Sequence, residues 1–469
     1  MRLGSSAMKE TYISKINDFL EPKMATERLV GYNFAVGIND THNTPAIRER
    51  NLESSLLTPT LFAFGLNHKT APVEIREKLY LNEDEIHMFL KRVKGNLTEC
   101  FVISTCNRTE FYGVSESSTI DIDQYKRLLI DIKGAEGLIK DEHFFSFISC
   151  AACQQLFNVA TSIDSRVIGD SQILRQIREA YSLAGKAGHA GKILNQLLQR
   201  SLKLGKATFT QTSIHDGAMS VSSVAVELAI NTFGSLQERT VLVIGAGDMA
   251  RLTTEALVDK NVGKILVTNR TRDHAERLLS DIQGDLSSDC EVLEFDEITD
   301  RLPSVDIVIS STGSDEPILY KDNFAGQTRK ILVIDIAVPR DVDPSVAENP
   351  NVILRNIDNL HVIVDGNHEK RMLDLPKVKK MIVEEMIEFL TWYYLLPIMP
   401  MYEKTGSKPP REQTHEIMRI KEFLNHNISE IHKFAAKSGG NFNDDLESHF
   451  SLVQRLRSMK AETSDRVAV

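Results

Sequence analysis

A multidomain α/β protein is the fold class this chain predicts, on three observations. Its 469 residues suit two to four domains rather than a single core. A buried-strand run, Thr240-Val241-Leu242-Val243-Ile244, leads into Gly245-Ala246-Gly247-Asp248-Met249-Ala250 and then a helical window, and further strand-like runs follow at 264–268, 291–295, 306–310, 331–336 and 352–354. Short strands and helices mix upstream of this block, whereas only helical patterning follows it. The expected organisation is an N-terminal α+β domain, a doubly wound parallel sheet, and a long helix leading into a C-terminal helical domain.

Bulk composition narrows the function classes. An apolar content of 42% supports real cores, and no stretch approaches the 18 uninterrupted apolar residues of a membrane span. The first thirty residues mix Lys9, Glu10, Lys15, Asp18, Glu21 and Lys23 and carry no apolar signal core, so a cytoplasmic protein without a membrane partner is expected. Five cysteines without framework spacing argue against an oxidised scaffold. Cys150 and Cys153 form one CxxC, but no second Cys or His pair completes a zinc site, so buried helix cysteines and no metal are expected. A net charge of -10 argues against indiscriminate polyanion binding. Between Glu179 and Asp216, however, no acidic residue occurs, while Lys186, Lys192, Arg200, Lys203 and Lys206 accumulate. Either a solvated helix face or a surface that meets phosphates fits this run.

Taken in order, residues 1–58 read as a peripheral extension in which Phe34-Ala35-Val36-Gly37-Ile38-Asn39 echoes Phe62-Ala63-Phe64-Gly65-Leu66-Asn67. Residues 59–215 form the first domain, with strands at 61–66, 99–104 and 110–114 and helices at 83–93 and 122–133. From about 151 to 235 the signal is helical; Leu194, Leu197, Leu198, Leu202 and Leu204 give an apolar face, and Gly205 and Gly217 suggest breaks or bends. Residues 216–365 form the sheet domain. There Gly245 permits a tight turn, Gly247 lets backbone approach a pyrophosphate, and Ala250 lets the helix pack close, with the phosphates at its N-terminus. The second strand ends Thr268-Asn269-Arg270-Thr271-Arg272, where an NAD site usually carries an acid; a cation there suits a 2′-phosphate and predicts NADPH. The candidate cofactor set is therefore Gly245, Ala246, Gly247, Asp248, Met249, Ala250, Asn269 and Arg270. Residues 366–469 begin with a helix over about 367–395, broken at Pro397 and Pro400, and continue with amphipathic helices at about 411–435 and 443–460, which predict a dimer interface.

Cys106 closes the apolar run Cys100-Phe101-Val102-Ile103 and precedes polar residues. A free thiol is only a few per cent thiolate near neutrality, so a reactive one needs electropositive neighbours. In an extended segment residues 106 and 108 share a side, which would place Arg108 beside the sulfur. A small buried apolar cysteine is the alternative.

Several runs in register resemble the glutamyl-tRNA reductase family over roughly residues 60–395. They are Gly65-Leu66-Asn67-His68-Lys69-Thr70-Ala71-Pro72-Val73-Glu74-Ile75-Arg76-Glu77, Ser104-Thr105-Cys106-Asn107-Arg108-Thr109-Glu110, Gly169-Asp170-Ser171-Gln172-Ile173-Leu174, the glycine loop, and Asp335-Ile336-Ala337-Val338-Pro339-Arg340-Asp341. The resemblance implies a catalytic domain, a Rossmann-type NADPH domain, and a spinal helix leading to a dimerisation domain. It implies that Cys106 attacks the ester joining glutamate to tRNA, and that hydride from NADPH releases glutamate-1-semialdehyde for tetrapyrrole synthesis. Arg108 would hold the glutamyl carboxylate or favour the thiolate, and Thr105, Asn107 and Glu110 would orient the aminoacyl end. Gln155, Ser165, Asp170, Gln172 and Gln176 would complete the substrate site. Glutamyl-tRNA, a second copy of the chain and a glutamate-1-semialdehyde aminotransferase are the implied partners. Three positions depart from the family pattern: Gln155 for a histidine, Asp170 for a glutamate, and Arg175 for a common glycine. The alternative they raise is an impaired or regulatory paralogue that binds tRNA or a protein.

Overall fold

The computed structural model describes residues 59–116, 120–170, 172–215, 220–282, 289–362 and 368–396. The extension over 1–58 with its internal echo, Gly217, and the segments at 411–435 and 443–460 lie outside the described residues.

The first sheet contains β1 (Thr60–Asn67), β2 (Glu99–Thr105), β3 (Arg108–Ser115) and β4 (Phe145–Ile148), all antiparallel in the order β2-β3-β1-β4. Two helices set between these strands have sharp, chemically defined starts. In α1 (Glu83–Val93) a capping box joins Asn82 and Glu85, and in α2 (Ile122–Lys133) Asp121 caps the N-terminus while left-handed Gly134 closes the other end. Aromatic rings fill the space beneath the sheet, with Phe111 at 5.1 Å from Phe64 and 5.3 Å from Phe89 between centroids. β4 has no counterpart among the strands expected from the sequence.

Three helices, α3 (Cys150–Ala160), α4 (Gln172–Lys186) and α5 (Lys192–Gln211), pack on this sheet. The start of α5 is tied to β2, because the Glu99 carboxylate accepts from the backbone N–H groups of Ile193 at 3.0 Å and Leu194 at 2.6 Å. Gly205 does not break the chain as expected. It lies buried within α5, where a Cβ would sit 2.6 Å from the carbonyl oxygen of Ala160, so its role is close packing against α3.

After α6 (Val221–Phe233), the second domain runs β5 (Thr240–Ile244), α7 (Asp248–Asp259), β6 (Lys264–Thr268), α8 (Arg272–Ile282), β7 (Asp289–Val292), β8 (Ile307–Ser310), β9 (Ile331–Asp335) and β10 (Val352–Asn356). All six strands are parallel, in the order β7-β6-β5-β8-β9-β10. In chain order this is the 3-2-1-4-5-6 doubly wound arrangement, with its switch point between β5 and β8. Val241 and Val243 enter one core while Leu242 and Ile244 enter the core on the opposite face, which explains why the strand is apolar at every position after Thr240. β7 begins at Asp289, two residues before the expected run, and ends at Val292.

The last described element, α9 (His368–Leu395), returns to the first domain. Val378, Ile382, Met386, Phe389, Leu390 and Tyr393 join the core under β1. The Tyr393 hydroxyl accepts from the Leu61 N–H at 3.1 Å and donates to the Pro59 carbonyl oxygen, fixing the helix to the first strand. Among the described residues, no helix is long and apolar enough to cross a membrane.

Candidate active site

The two domains meet across a cleft of about 310 Å3 at the switch point of the parallel sheet. One wall comes from the β2–β3 tip and the start of α4, the other from Gly247-Asp248-Met249, Ser311-Thr312-Gly313 and Ile336-Ala337-Val338. Of the sequence-predicted substrate residues, Thr105, Cys106, Asn107, Arg108, Ser165, Asp170, Gln172 and Gln176 line it.

Cys106 and Asn107 are the two-residue connection of a hairpin, because Thr105 pairs with Arg108 across the ladder. The extended segment that would put Arg108 beside the sulfur is therefore not formed: the chain reverses at the cysteine, and Arg108 already belongs to β3. The Cys106 side chain is half-buried against the second core, and its thiol is pushed up to about 11 by burial and by the negative charge of Asp170. The Arg76 cation opposes this and its Nε donates to the Cys106 carbonyl oxygen at 3.3 Å. Burial raises Asp170 above the usual carboxylate range, despite a bond from the Gln172 N–H to its Oδ1 at 3.0 Å. Two buried polar atoms of cleft residues, Asn107 Oδ1 and Gln172 Nε2, have no partner among the described residues. One is an acceptor and the other a donor.

Directly beneath the tip lies a charge network that the sequence does not reveal. Arg108 is 2% exposed, and its Nη1 donates to Glu110 Oε1 at 2.6 Å and to Asp164 Oδ2 at 2.9 Å. Tyr112 donates to Glu110, and Gln155 Nε2 donates to both Glu110 Oε1 at 3.1 Å and Asp164 Oδ2 at 3.0 Å. Glu110 and Gln155 are thus not on the cleft wall, contrary to the sequence expectation; Glu110 shares a face of β3 with Arg108 but lies two residues further from the tip, and Gln155 on α3 bonds to it there in the interior. Burial opposes ionisation of Asp164, but Lys69 at 2.7 Å and Arg108 outweigh it and hold its carboxyl well below the ordinary range. Glu110 is raised by burial, which Arg108 offsets only in part. Neighbouring His68 is pushed down to about 3 by burial and is neutral at physiological pH. His143 stands apart, outside the cleft lining, its Nδ1 accepting from the Lys140 N–H at 3.1 Å.

Ion pairs clamp the domains around the cleft. Asp358, just beyond β10, lies 2.7 Å from Arg76 and 3.0 Å from Arg166, and its Oδ2 also accepts from the Val73 N–H at 3.0 Å. Arg340 donates to both carboxylate oxygens of Glu77, at 2.8 and 2.7 Å. Arg175 on α4 reaches Asp248 at the first turn of α7. Arg76, Arg166 and Asp358 were missed by sequence reasoning, although Arg76 sits within one of the family-like runs; their pairings span 192 and 282 positions and leave no local signal.

The glycine loop fits a dinucleotide. Gly245 has φ +115°, and a Cβ there would lie 2.8 Å from the Ser311 carbonyl oxygen, so a glycine is required for the turn. A Cβ at Gly247 would meet nothing within 4 Å, which leaves its backbone, at the N-cap of α7, open to an incoming phosphate. Ala250 is fully buried in the first turn of α7, as close helix packing requires. Ala246 packs partly against the second core. Asn269 and Arg270 follow β6 and do not line the cleft. Asn269 Nδ2 donates to the Thr271 carbonyl oxygen at 2.9 Å, while Arg270 is exposed.

Two family models match this chain. Residues 64–212 match the family model for the glutamyl-tRNAGlu reductase N-terminal domain, and residues 227–363 match that for shikimate / quinate 5-dehydrogenase. Glutamyl-tRNA reductase of Chloroherpeton thalassium is 36% identical over 368 residues, covering 77% of this chain and 83% of that protein. The Chlorobium phaeobacteroides enzyme of the same name is 36% identical, with 77% and 85% covered. Among solved structures, glutamyl-tRNA reductase from Methanopyrus kandleri matches with 29% identity and a TM-score of 0.40, covering 85% of this chain and 98% of that one. At the identity and coverage of its curated relatives, this chain belongs to the glutamyl-tRNA reductase family.

Proposed function

We propose that this protein is an oxidoreductase that reduces the glutamyl group of glutamyl-tRNA to glutamate-1-semialdehyde, the entry step of tetrapyrrole synthesis, through a thioester on Cys106. One observation carries the reading: a cysteine at a hairpin tip shares a cleft with the open glycine loop of a doubly wound sheet. Esterification activates a carboxylate that would otherwise resist attack, and a thioester divides one difficult reduction into two easier steps.

Asp170 is the group placed to accept the Cys106 proton, because it lines the same cleft and burial raises its basicity. The thiolate forms a C–S bond to the ester carbonyl, the C–O bond to ribose breaks, and tRNA leaves with a proton on its hydroxyl. Asn107 Oδ1 is free to accept from the substrate ammonium, and Gln172 Nε2 to donate to a substrate oxygen. Thr105, Ser165 and Gln176 complete the polar wall. Arg108, Glu110 and Gln155 act through position, since their bonds lock β3 and the base of the tip. A nicotinamide dinucleotide held at the glycine loop would supply the hydride, and with it the two electrons, for conversion of the thioester to the aldehyde, which would return Cys106 as the thiolate.

Gly245, Ala246, Gly247, Asp248, Met249 and Ala250 would hold the cofactor's pyrophosphate end. NADPH is the form favoured, because Arg270 stands after β6 where a ribose-binding acid is usual for NAD. Replacement of Arg270 by Ser should accordingly weaken NADPH more than NADH. A cytoplasmic homodimer is part of the same reading, supported by the amphipathic segments beyond residue 410, and so is transfer of the reactive aldehyde to an aminotransferase.

The decisive test is a single turnover with glutamyl-tRNA and NADPH, comparing the wild type with Cys106→Ser. Trapped semialdehyde from the wild type alone is expected. No semialdehyde from the wild type, with the ester intact, would refute the activity.

A further inference from the structure

The first turn of α4 lines the cleft, and its next turns border a second cavity. A groove of about 550 Å3 runs between α4 and α5, edged by Arg178, Tyr181 and Ser182 from one helix and by Gln199, Lys203 and Lys206 from the other. Among the described residues, no carboxylate lines it. Arg178 and Lys206 are exposed and form no ion pair among the described residues. Lys203 lies 3.7 Å from Glu385, which is already engaged by Arg200. The floor is apolar, from Leu198 and Leu202, and includes the Tyr181 ring, held by a bond from its hydroxyl to the Gly191 carbonyl oxygen at 3.3 Å.

Cations on the rim of a concave surface with an aromatic floor suit a polyanion that also carries flat rings. A solvated helix face would need neither the concavity nor the absence of acids, yet the whole span between Glu179 and Asp216 lacks them. The groove also shares a helix with the cleft. Arg175, which lines the cleft, and Arg178 and Ser182, which line the groove, stand at i, i+3 and i+7 on α4 and form one stripe. At about 1.5 Å per residue, the stripe covers roughly 10 Å.

We infer that this groove holds the phosphate backbone of the acceptor strand of an RNA whose aminoacylated end lies in the cleft. The inference rests on the reading of the cleft as a site for glutamyl-tRNA and assigns to that substrate a second contact surface. Arg178 and Lys206 pair with successive phosphates, Lys203 adds to the field, and Tyr181 offers a face for a base.

The test measures binding of deacylated glutamate-acceptor tRNA to the full chain between 50 and 300 mM salt, for the wild type, Arg178→Gln/Lys206→Gln and Arg178→Glu/Lys206→Glu. Each lost single-strand phosphate contact lowers the slope of log affinity against log salt by about 0.7, so the Gln pair should weaken binding by about 25-fold at 0.1 M salt. The Glu pair should weaken it further. NADPH affinity and the single-turnover rate at saturating glutamyl-tRNA should stay at wild-type values, since both residues lie outside the cleft. Unchanged affinity and slope in both variants would overturn the groove assignment. Weaker binding with an unchanged slope would overturn it as well, because the loss would then not involve phosphates. No tRNA binding by the wild type at any salt concentration would instead refute the glutamyl-tRNA reading on which the inference stands.

Discussion

Exchanging Gly247 and Gly245 separately for Ala should divide cofactor binding from folding. Gly247 has φ -82° and ψ -173°, a conformation Ala adopts freely, and its missing Cβ faces open space. Two small effects oppose each other there: reduced entropy of the unfolded chain favours Ala by about 0.4–1 kcal/mol, and Ala is a poorer N-cap than Gly by a similar amount, about 0.5–1 kcal/mol. Gly247→Ala should therefore melt within about 3 °C of the wild type at roughly 2–4 °C per kcal/mol. The new methyl, however, occupies the approach to the backbone of the loop. Losing one charge-assisted hydrogen bond to a phosphate, about 1.5–3 kcal/mol, predicts NADPH binding weaker by roughly 10- to 150-fold. Gly245→Ala behaves oppositely at the first step. Its φ of +115° and the 2.8 Å approach to the Ser311 carbonyl oxygen make the exchange a folding defect. Backbone strain alone costs about 1–3 kcal/mol, so its melting point should fall by about 2–12 °C. Fluorescence titration with NADPH alongside thermal melts reads both quantities. A Gly247→Ala protein that binds NADPH within twofold of the wild type would refute the pyrophosphate assignment, and a Gly245→Ala protein of wild-type stability would refute the steric argument.

Cys106 should alkylate slowly at pH 7, with iodoacetamide labelling rising about tenfold per pH unit towards its raised value near 11. Asp170→Asn removes a negative charge from beside the thiol and should speed that labelling while slowing acyl transfer, a split that mass spectrometry and single-turnover assays together detect; slower labelling would contradict the charge relation. Arg108→Met leaves Glu110 and Asp164 buried without their shared cation and should cost about 3–5 kcal/mol in urea unfolding, so its loss of activity should follow loss of fold. Asp164 and Asp358 both titrate below their unfolded values, Asp358 because Arg76 and Arg166 overcome the effect of burial. The stability they add is complete above the unfolded carboxylate range, near pH 4, and is lost as the pH falls through their lower folded values; replacing Asp358 with Asn should flatten that acid limb of the pH–stability curve, and an unchanged limb would exclude the clamp as its source.

The parallel sheet was legible because its central strands β5, β8 and β9 are buried on both faces and almost wholly apolar, and five of the six strands fell within a residue or two of expectation. The helices at 83–93 and 122–133 were legible through their apolar periodicity. β4 was not, since Phe145-Ser146-Phe147-Ile148 is only four residues long and gains strand character from pairing with β1. The turn at Cys106-Asn107 carries no glycine to announce it; an extended segment would have set Arg108 on the sulfur's side, whereas Arg108 opposes the thiol's upward shift from within β3, and less than Arg76 does. Asp164 and Asp358 are ordinary surface-type acids in sequence. Only the fold brings Arg108 and Lys69 to one, and Arg76 and Arg166 to the other.

The return of α9 to the first core has a consequence for synthesis on the ribosome. The first domain's chain is finished by residue 215, yet Val378 to Tyr393 must emerge before its core can close. At about 5–20 residues per second, that wait lasts roughly 10–35 s, longer than the formation of any isolated helix or hairpin. During this interval the hairpin with Cys106 at its tip is expected to lie uncovered on the nascent chain, while the sheet between residues 240 and 356 is made in one stretch. The order of folding is thus expected to reverse the order of sequence: the dinucleotide sheet closes first, and the domain bearing the thiol closes last around a helix translated after it.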